Sequence, residues 1–150
     1  MKSMKPNMVR LSIIAVFFLF FAAHNAAAER LSVSAQIANI RSGPATTFDI
    51  LWQVQKHYPI LVIKKSGPWV NFKDFEGDKG WIHKSLLKKT PTIITIKEKC
   101  NVRSGPGTKN GVLFTVEKGI PFRRIKNEGN WIHIEHADGD RGWIYNTLVW

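Results

Sequence analysis

Asn39–Thr46 reads Asn-Ile-Arg-Ser-Gly-Pro-Ala-Thr, and Asn101–Thr108 reads Asn-Val-Arg-Ser-Gly-Pro-Gly-Thr, 62 positions further along the chain. The same offset, carried forward without a gap, aligns Trp69 with Trp131, and the match continues as far as Leu148. A gapless internal match of this length is a repeat. Its period exceeds that of solenoid units, so it indicates two tandem domains.

The N-terminus has the pattern of a secretory signal peptide, residues 1–28. Basic residues precede an apolar run over residues 11–23, and alanines at 26–28 offer a cleavage site of small residues. The run is shorter than the roughly 20 residues that an ordinary membrane span needs. We therefore predict an exported protein, periplasmic or secreted, with no stable membrane span after cleavage. The alternative is an uncleaved anchor.

Charge narrows the choice of partner. Loss of residues 1–28 would lower the formal net charge from +11 to +8, because it removes three basic residues and no acidic ones. A charge of this size favours anionic partners such as wall polymers, lipid headgroups or nucleic acid. Export argues against nucleic acid. Cys100 is the single cysteine, so no internal disulfide can form, and we predict a buried, inert thiol.

Short strands separated by turns fill both copies. The segments 69–73 and 131–135 alternate apolar and polar residues, and each is followed by a Gly-Asp turn typical of a hairpin. Residues 31–40 read as one strand that enters the first copy. No helical period persists, although single 3₁₀ turns are expected near Lys84 and Asn146. This pattern predicts an all-β protein, built as two tandem small barrels.

The repeated motif also indicates a family. Arg-Ser-Gly-Pro, followed at this distance by Gly-Trp-Ile at 80–82 and again at 142–144, resembles the bacterial SH3 family. The resemblance implies SH3-like barrels over residues 29–89 and 90–150, of a kind often linked to cell-wall recognition or appended to wall hydrolases. On this basis we predict an exported, non-catalytic protein that binds peptidoglycan or another anionic envelope polymer. The alternative is an interaction module that docks an envelope protein, either an enzyme or a receptor.

The strongest ligand-binding candidates are Trp69 and Trp131. On an alternating strand Val70 and Phe72 share the face that a barrel core requires, so Trp69 should lie on the outer face. An exposed indole there would give a platform for a sugar ring or a peptide. The alternative is that each indole packs under its own Arg-Ser-Gly-Pro loop.

Arg41, Arg103 and Tyr58 complete the predicted ligand-binding residues. Either arginine could fork onto a carboxylate of the wall polymer, or it could instead hold its own loop by bonding backbone carbonyls. Tyr58 belongs to an excess of aromatic residues in the first copy, which favours either a better ligand face or packing against the second copy.

No catalytic or metal-binding pattern is evident. His133, Glu135 and His136 cluster in the sequence, but on a strand His136 points away from the other two. Cys100 has no histidine partner at a diagnostic spacing. We therefore predict no catalytic residue, no metal and no cofactor, and conclude from the sequence that the chain is not an enzyme.

Overall fold

Residues 27–150 are described by the computed structural model, so the predicted signal peptide lies outside them apart from its last two residues. The first copy of the repeat forms one antiparallel sheet and the second copy another. Two 3₁₀ turns, Lys84–Leu86 and Asn146–Leu148, are the helical elements of this part of the chain. Neither is long enough or apolar enough to cross a membrane. The predicted all-β class and both 3₁₀ turns are confirmed.

Seven strands make the first sheet, which we call the first barrel. They are β1 (Arg30–Val33), β2 (Ile37–Arg41), β3 (Ile50–Gln55), β4 (Pro59–Ser66), β5 (Trp69–Lys73), β6 (Lys79–His83) and β7 (Leu87–Lys88). Their order across the sheet is β3-β2-β6-β5-β4-β1-β7. β6 lies between β2 and β5, so a single strand separates the segment that precedes the Arg-Ser-Gly-Pro loop from the strand that carries Trp69.

Six strands repeat this arrangement in the second barrel. They are β8 (Thr92–Ile94), β9 (Cys100–Arg103), β10 (Val112–Val116), β11 (Pro121–Glu128), β12 (Trp131–Glu135) and β13 (Arg141–Tyr145). Their order is β10-β9-β13-β12-β11-β8, which matches the first sheet strand for strand up to β1, the counterpart of β8.

Alternation along β5 and β12 places the core as the sequence predicts. Val70 and Phe72 are buried in the apolar cluster of the first barrel, and Ile132 and Ile134 are buried in that of the second. Cys100 also lies in the second core, where burial raises the pKa of its thiol. The predicted buried cysteine is confirmed.

The single entering strand predicted over residues 31–40 is wrong. The chain forms β1, bends at Ala35 and Gln36, and resumes as β2. β1 pairs with β4 and β7, whereas β2 pairs with β3 and β6, so the bend carries the chain from one side of the barrel to the other. It also shifts the alternation, because Ile37 is exposed while Ala38 and Ile40 are buried.

The two barrels pack against each other. Ile94, from the first strand of the second barrel, is buried in the core cluster of the first, and Trp150 packs against the same cluster. Ile94 and Trp150 are joined by two backbone hydrogen bonds of 3.1 and 2.9 Å. The Arg30 guanidinium lies 3.9 Å from the centre of the Trp150 ring and donates to the Trp150 carbonyl at 2.9 Å. The interface therefore combines apolar burial with a cation–π contact.

Candidate binding clefts

Equivalent clefts lie beside the Arg-Ser-Gly-Pro loops of both barrels. The cleft of the first barrel has a volume of about 240 Å³ and that of the second about 340 Å³. We call them cleft 1 and cleft 2. Cleft 1 is lined by Ile37, Ala38, Asn39, Arg41, Thr46, Trp69, His83 and Leu86. Cleft 2 is lined by Lys99, Asn101, Arg103, Thr108, Trp131, Tyr145 and Leu148.

Seven of the eight positions that line cleft 1 have a counterpart at the repeat offset that lines cleft 2, and the exception is Ala38. Chemistry differs chiefly at two places, where Ile37 and His83 of cleft 1 are replaced by Lys99 and Tyr145 of cleft 2. Cleft 2 is the larger of the two, and Lys99 gives it an additional positive charge.

The tryptophans line the clefts but are not open platforms. Trp69 is only 9% exposed and Trp131 is half-buried. The prediction that both indoles are exposed is therefore wrong. The cause is the neighbouring strand, because Trp69 pairs in register with His83 and Trp131 with Tyr145. The rings meet edge to face, at 5.3 Å in the first barrel and 5.2 Å in the second. Neither indole belongs to a core cluster.

Arg41 and Arg103 support the loops that border the clefts. Nη1 of Arg41 donates to the carbonyls of Thr46 and Phe48, at 3.0 and 2.9 Å. Nη1 of Arg103 repeats both bonds, to Thr108 at 3.2 Å and to Asn110 at 2.9 Å. The sequence left two roles open for these arginines, binding of a ligand carboxylate or support of the loop. The structure shows hydrogen bonds to the loop carbonyls. In each guanidinium the remaining donors make no hydrogen bond within residues 27–150, so they are available to a ligand.

Each loop depends on a residue that the motif itself does not contain. A Cβ added at Gly43 would lie 2.5 Å from the Phe48 ring, and one at Gly105 would lie 2.8 Å from the Asn110 side chain. The glycines therefore allow a side chain at the end of the loop to close over its start. Phe48 and Asn110 sit at the repeat offset, although their chemistry differs completely.

Tyr58 does not lie in either cleft. Its side chain is buried in the first core, and its hydroxyl donates to Oδ2 of Asp74 at 2.9 Å. The other oxygen of Asp74 accepts from the backbone N–H groups of Glu76 and Asp78 and so shapes the β5–β6 turn. Burial, together with this hydrogen bond, raises the pKa of Tyr58. The position of Tyr58 thus assigns it to packing rather than to the cleft.

Removal of this hydroxyl tests its structural role. We expect Tyr58→Phe to lower the free energy of unfolding by about 1.5–3 kcal/mol, because a buried carboxylate oxygen loses its donor. Urea denaturation measures the change. Tyr145→Phe is the matched control, with an expected effect within about 0.5 kcal/mol, since its hydroxyl has only a long contact with Asn130. Equal effects of the two substitutions would contradict the assignment.

In the cluster of His133, Glu135 and His136, the first two side chains contact other residues. Glu135 accepts from Arg123 at 3.1 and 2.9 Å and also pairs with Arg141, and these bonds lower its pKa. His133 stacks on Trp143 with ring centres 4.8 Å apart. Within residues 27–150, no group of three or more His, Cys, Asp or Glu residues is placed to hold a metal ion.

The cleft residues that sequence reasoning missed share one signal. Asn39, Thr46 and Leu86 line cleft 1, and their counterparts line cleft 2. Each has the same residue type at the repeat offset, so identity between the copies outside the core could have identified them. His83 had no such signal, because its counterpart is Tyr145.

Similarity to curated proteins points to enzymes of the cell wall. The chain is 29% identical over 145 residues to YrvJ of Bacillus subtilis, named as an N-acetylmuramoyl-L-alanine amidase, a match that covers 88% of this chain and 27% of that protein. It is 40% identical over 52 residues to LytH of Staphylococcus aureus, named as a cell wall amidase, covering 34% of this chain and 18% of that protein. The chain thus spans about a quarter or less of these relatives, whose names support an association with the cell envelope.

Solved structures give weaker similarity. An NlpC/P60 family protein from Bacillus cereus aligns with a TM-score of 0.39 at 13% identity, covering 81% of this chain and 56% of that one. NlpC2 from Trichomonas vaginalis aligns with a TM-score of 0.37 at 11% identity, covering 80% of this chain and 47% of that one. With TM-scores below 0.5, these two alignments do not indicate a function.

The prediction that the chain is not an enzyme is contradicted by the amidase names of its relatives. That prediction relied on the lack of a catalytic motif in the linear sequence. Catalytic groups are recognised by their geometry and roles rather than by their spacing along a chain. The names of these relatives indicate a connection with cell wall amidases, in place of the prediction of a non-catalytic protein.

Both copies of the repeat match one family. The matches cover residues 34–89 and 97–150, and the family is described as the bacterial SH3 domain. The first match contains β2–β7 and cleft 1, and the second contains β9–β13 and cleft 2. By these two matches, the chain belongs to the bacterial SH3 domain family, with one copy of the domain in each barrel.

Proposed function

We propose that this chain acts in peptidoglycan hydrolysis at the cell envelope, and that clefts 1 and 2 bind the wall polymer. The observation that supports the proposal most strongly is the duplication of the cleft itself. Seven equivalent positions line it in both barrels, and five of them carry the same residue type. The amidase names of the relatives supply the reaction class.

The chemistry of each cleft suits a glycan that carries peptides. A tryptophan edge offers an apolar contact for a sugar ring, while an asparagine side chain can bond hydroxyl or amide groups. The donors of Arg41 and Arg103 that the loop leaves free can fork onto a carboxylate. Peptidoglycan combines sugar rings, amides and carboxylates, so one polymer satisfies all three contacts.

A chain with two clefts would bind one polymer more tightly than either cleft alone. When both sites can engage the same polymer, the second binding event becomes intramolecular, and avidity can exceed the affinity of either site by about 10²–10⁴-fold. The packed interface of the two barrels, with Arg30 stacked on Trp150, fixes the spacing of the clefts. A repeating glycan offers matching points along its length. Export to the periplasm or the exterior, through the N-terminal segment, belongs to this proposal.

Sedimentation with purified sacculi tests the proposal. We expect the exported chain, residues 29–150, to pellet with sacculi, and the variant Trp69→Ala/Trp131→Ala to remain in the supernatant. Each single substitution should weaken binding by about 10²-fold or more, because it removes one of two cooperating sites and with it the avidity. Ile63→Ala is the control, since Ile63 is exposed and lies outside both clefts.

Loss of folding must be separated from loss of binding, because the indoles are partly buried. Lys99→Ala/Asn101→Ala serves this purpose, since both side chains line cleft 2 and neither bonds another side chain within residues 27–150. We expect this variant to keep its unfolding midpoint and to bind sacculi less tightly. Unchanged pelleting of both cleft variants would exclude the clefts as the wall-binding sites.

A second candidate function, docking of an envelope protein, is favoured by exposed apolar residues. Phe48, Ile50 and Leu51 are all 44–50% exposed, and Val112 and Leu113 are 46% and 55% exposed at equivalent strands of the second barrel. Exposed apolar groups of this kind mark interaction surfaces when they are contiguous. Pull-down from envelope extract, before and after enzymatic digestion of the wall, separates the two functions. Partners that survive digestion would support docking.

A further inference from the structure

A cavity between the two barrels is not used by the proposed wall-binding clefts. It has a volume of about 330 Å³ and is bordered by both copies of the repeat. The first barrel contributes Lys56, His57 and Lys88, and the second contributes Arg123 and His136. Its walls therefore come together only when the barrels are packed as the structure shows.

His57 has an unusual backbone for its residue type. It is the one non-glycine residue with positive φ among residues 27–150, at 74°, whereas Gly119 occupies the equivalent position with φ of 85°. Both backbone N–H groups make the same bond at 2.8 Å, from His57 to Val33 and from Gly119 to Thr95. The turn thus requires a left-handed backbone in both barrels, for which glycine is the default. Histidine at this place carries strain that an additional role for its side chain would explain.

The side chain of His57 is a polar group without a partner. It is only 8% exposed, it lines the cavity, and its imidazole makes no hydrogen bond within residues 27–150. Its ring nitrogens are accessible rather than sealed in protein, because the fully buried, unpartnered side-chain polar atoms of residues 27–150 are Oγ1 of Thr92 and Nδ1 of His133. The imidazole therefore has donor capacity to offer to a molecule in the cavity.

The charges around the cavity are mainly positive. Lys56, Lys88 and Arg123 line it, and Glu135 is the one carboxylate among the lining residues. Glu135 is already held by Arg123 at 2.9 Å and by Arg141. The two lysines have no salt bridge within residues 27–150. An anion in the cavity would therefore meet uncompensated positive charge.

We propose that this cavity binds a small oxyanion, a phosphate or a carboxylate group, through His57, Lys56 and Lys88, and that the bound anion ties the two barrels together. Bonds between charged donors and an oxyanion are about twice as strong as neutral ones. Because both barrels border the site, the anion would stabilise the packed arrangement by mass action.

Affinity should rise as the pH falls. The charged and titratable groups that share the cavity with His57 are Lys56, Lys88, Arg123, Glu135 and His136. Burial, followed by the charges of Lys56 and Arg123, holds the pKa of His57 below its usual value, so the empty site favours neutral imidazole. A bound anion favours the imidazolium, and by linkage protonation must favour the anion. In the absence of an anion, the lowered pKa of His57 makes a contribution to the free energy of unfolding that depends on pH. This contribution is complete above the ordinary histidine pKa and declines as the pH falls through that value.

Isothermal titration of the exported chain tests the proposal, with inorganic phosphate and acetate as separate probes at about pH 7 and physiological ionic strength. We expect at least one of the two to bind, and to raise the thermal unfolding midpoint as its concentration rises. The probe that binds more tightly, phosphate or acetate, indicates whether the site prefers a phosphate group or a carboxylate group. Sulfate, whose charge is constant over the relevant range, should bind more tightly at pH 6 than at pH 8 if the histidine contributes.

His57→Gly is the decisive variant, because it reproduces the residue that the second barrel carries at this turn. We expect it to fold with an unchanged or higher midpoint, to bind the anion about tenfold less tightly, and to lose most of the pH dependence, since His136 is then the remaining histidine that lines the cavity. Lys56→Ala should also weaken binding. Lys126→Ala is the charge-matched control, since Lys126 lies over the Trp143 ring outside the cavity. Binding that His57→Gly leaves unchanged, or no binding of any probe, would overturn the proposal and leave the wall-binding clefts unaffected.

Discussion

Phe72→Ala is expected to lower the free energy of unfolding by about 3–5 kcal/mol, the range for removal of a fully buried aromatic ring. Phe72 has no exposed surface, and its ring meets Trp52 edge to face at 6.4 Å. A unit of about 60 residues has little stability to spare, so the first barrel should be largely unfolded at 37 °C. Urea denaturation followed by tryptophan fluorescence measures the change.

Two further variants make this result specific to packing. Phe72→Leu keeps most of the apolar volume and should cost much less than the alanine substitution. Ile63→Ala removes an exposed apolar side chain of the same barrel and should change stability by no more than about 1 kcal/mol. If all three variants unfolded at the same urea concentration, Phe72 would not be the centre of the first core.

Gly142→Ala is expected to destabilise the second barrel by about 1–3 kcal/mol or more, because there is no room for a methyl group. A Cβ at this position would lie 2.4 Å from Cγ1 of Val102 and 2.9 Å from the carbonyl oxygen of Arg103. The second contact is with backbone, so a side-chain rotation cannot relieve it. β9 would have to move away from β13, which would displace the arginine that supports the loop of cleft 2.

Gly111→Ala is the matched control for this substitution. A Cβ at Gly111 meets nothing within 4 Å, and the backbone there is not left-handed. Alanine should therefore be neutral or slightly stabilising at this position, since it reduces the freedom of the unfolded chain. Thermal unfolding of the two variants gives the comparison. A Gly142→Ala protein as stable as Gly111→Ala would show that the close approach of β9 and β13 is not required.

The Gly-Trp-Ile motif thus has a structural meaning that its sequence does not reveal. Gly80 repeats the close approach in the first barrel, where a Cβ would lie 2.3 Å from Cγ2 of Ile40. In the sequence, Gly-Trp-Ile served only as part of the repeat and of the family resemblance. The reason for a glycine at this position, contact with the strand before the Arg-Ser-Gly-Pro loop, required the pairing of β2 with β6.

Local periodicity was enough for the fold class and for the core face of β5 and β12, but not for the bend between β1 and β2. Val70 and Phe72 face inward because alternate residues of a strand point to opposite faces, and Gly77 and Gly139 have the positive φ of hairpin turns. These features depend on neighbours along the chain, so they can be read from one segment at a time. The duplicated motif added the number of barrels and their family.

Three-dimensional packing decided how the outer face is used. Trp69 points away from the core as predicted, yet it is covered by His83 from a paired strand 14 positions away. Tyr58 turned inward to bond Asp74, although nothing near it in sequence marks it as a core residue. The clefts and the cavity at His57 are made by chain segments that meet only after the sheets close and the barrels pack. Sequence alone determined two barrels and their interiors, because alternation is a local property. Only tertiary structure decided which surfaces form recesses, because that depends on contacts between distant strands.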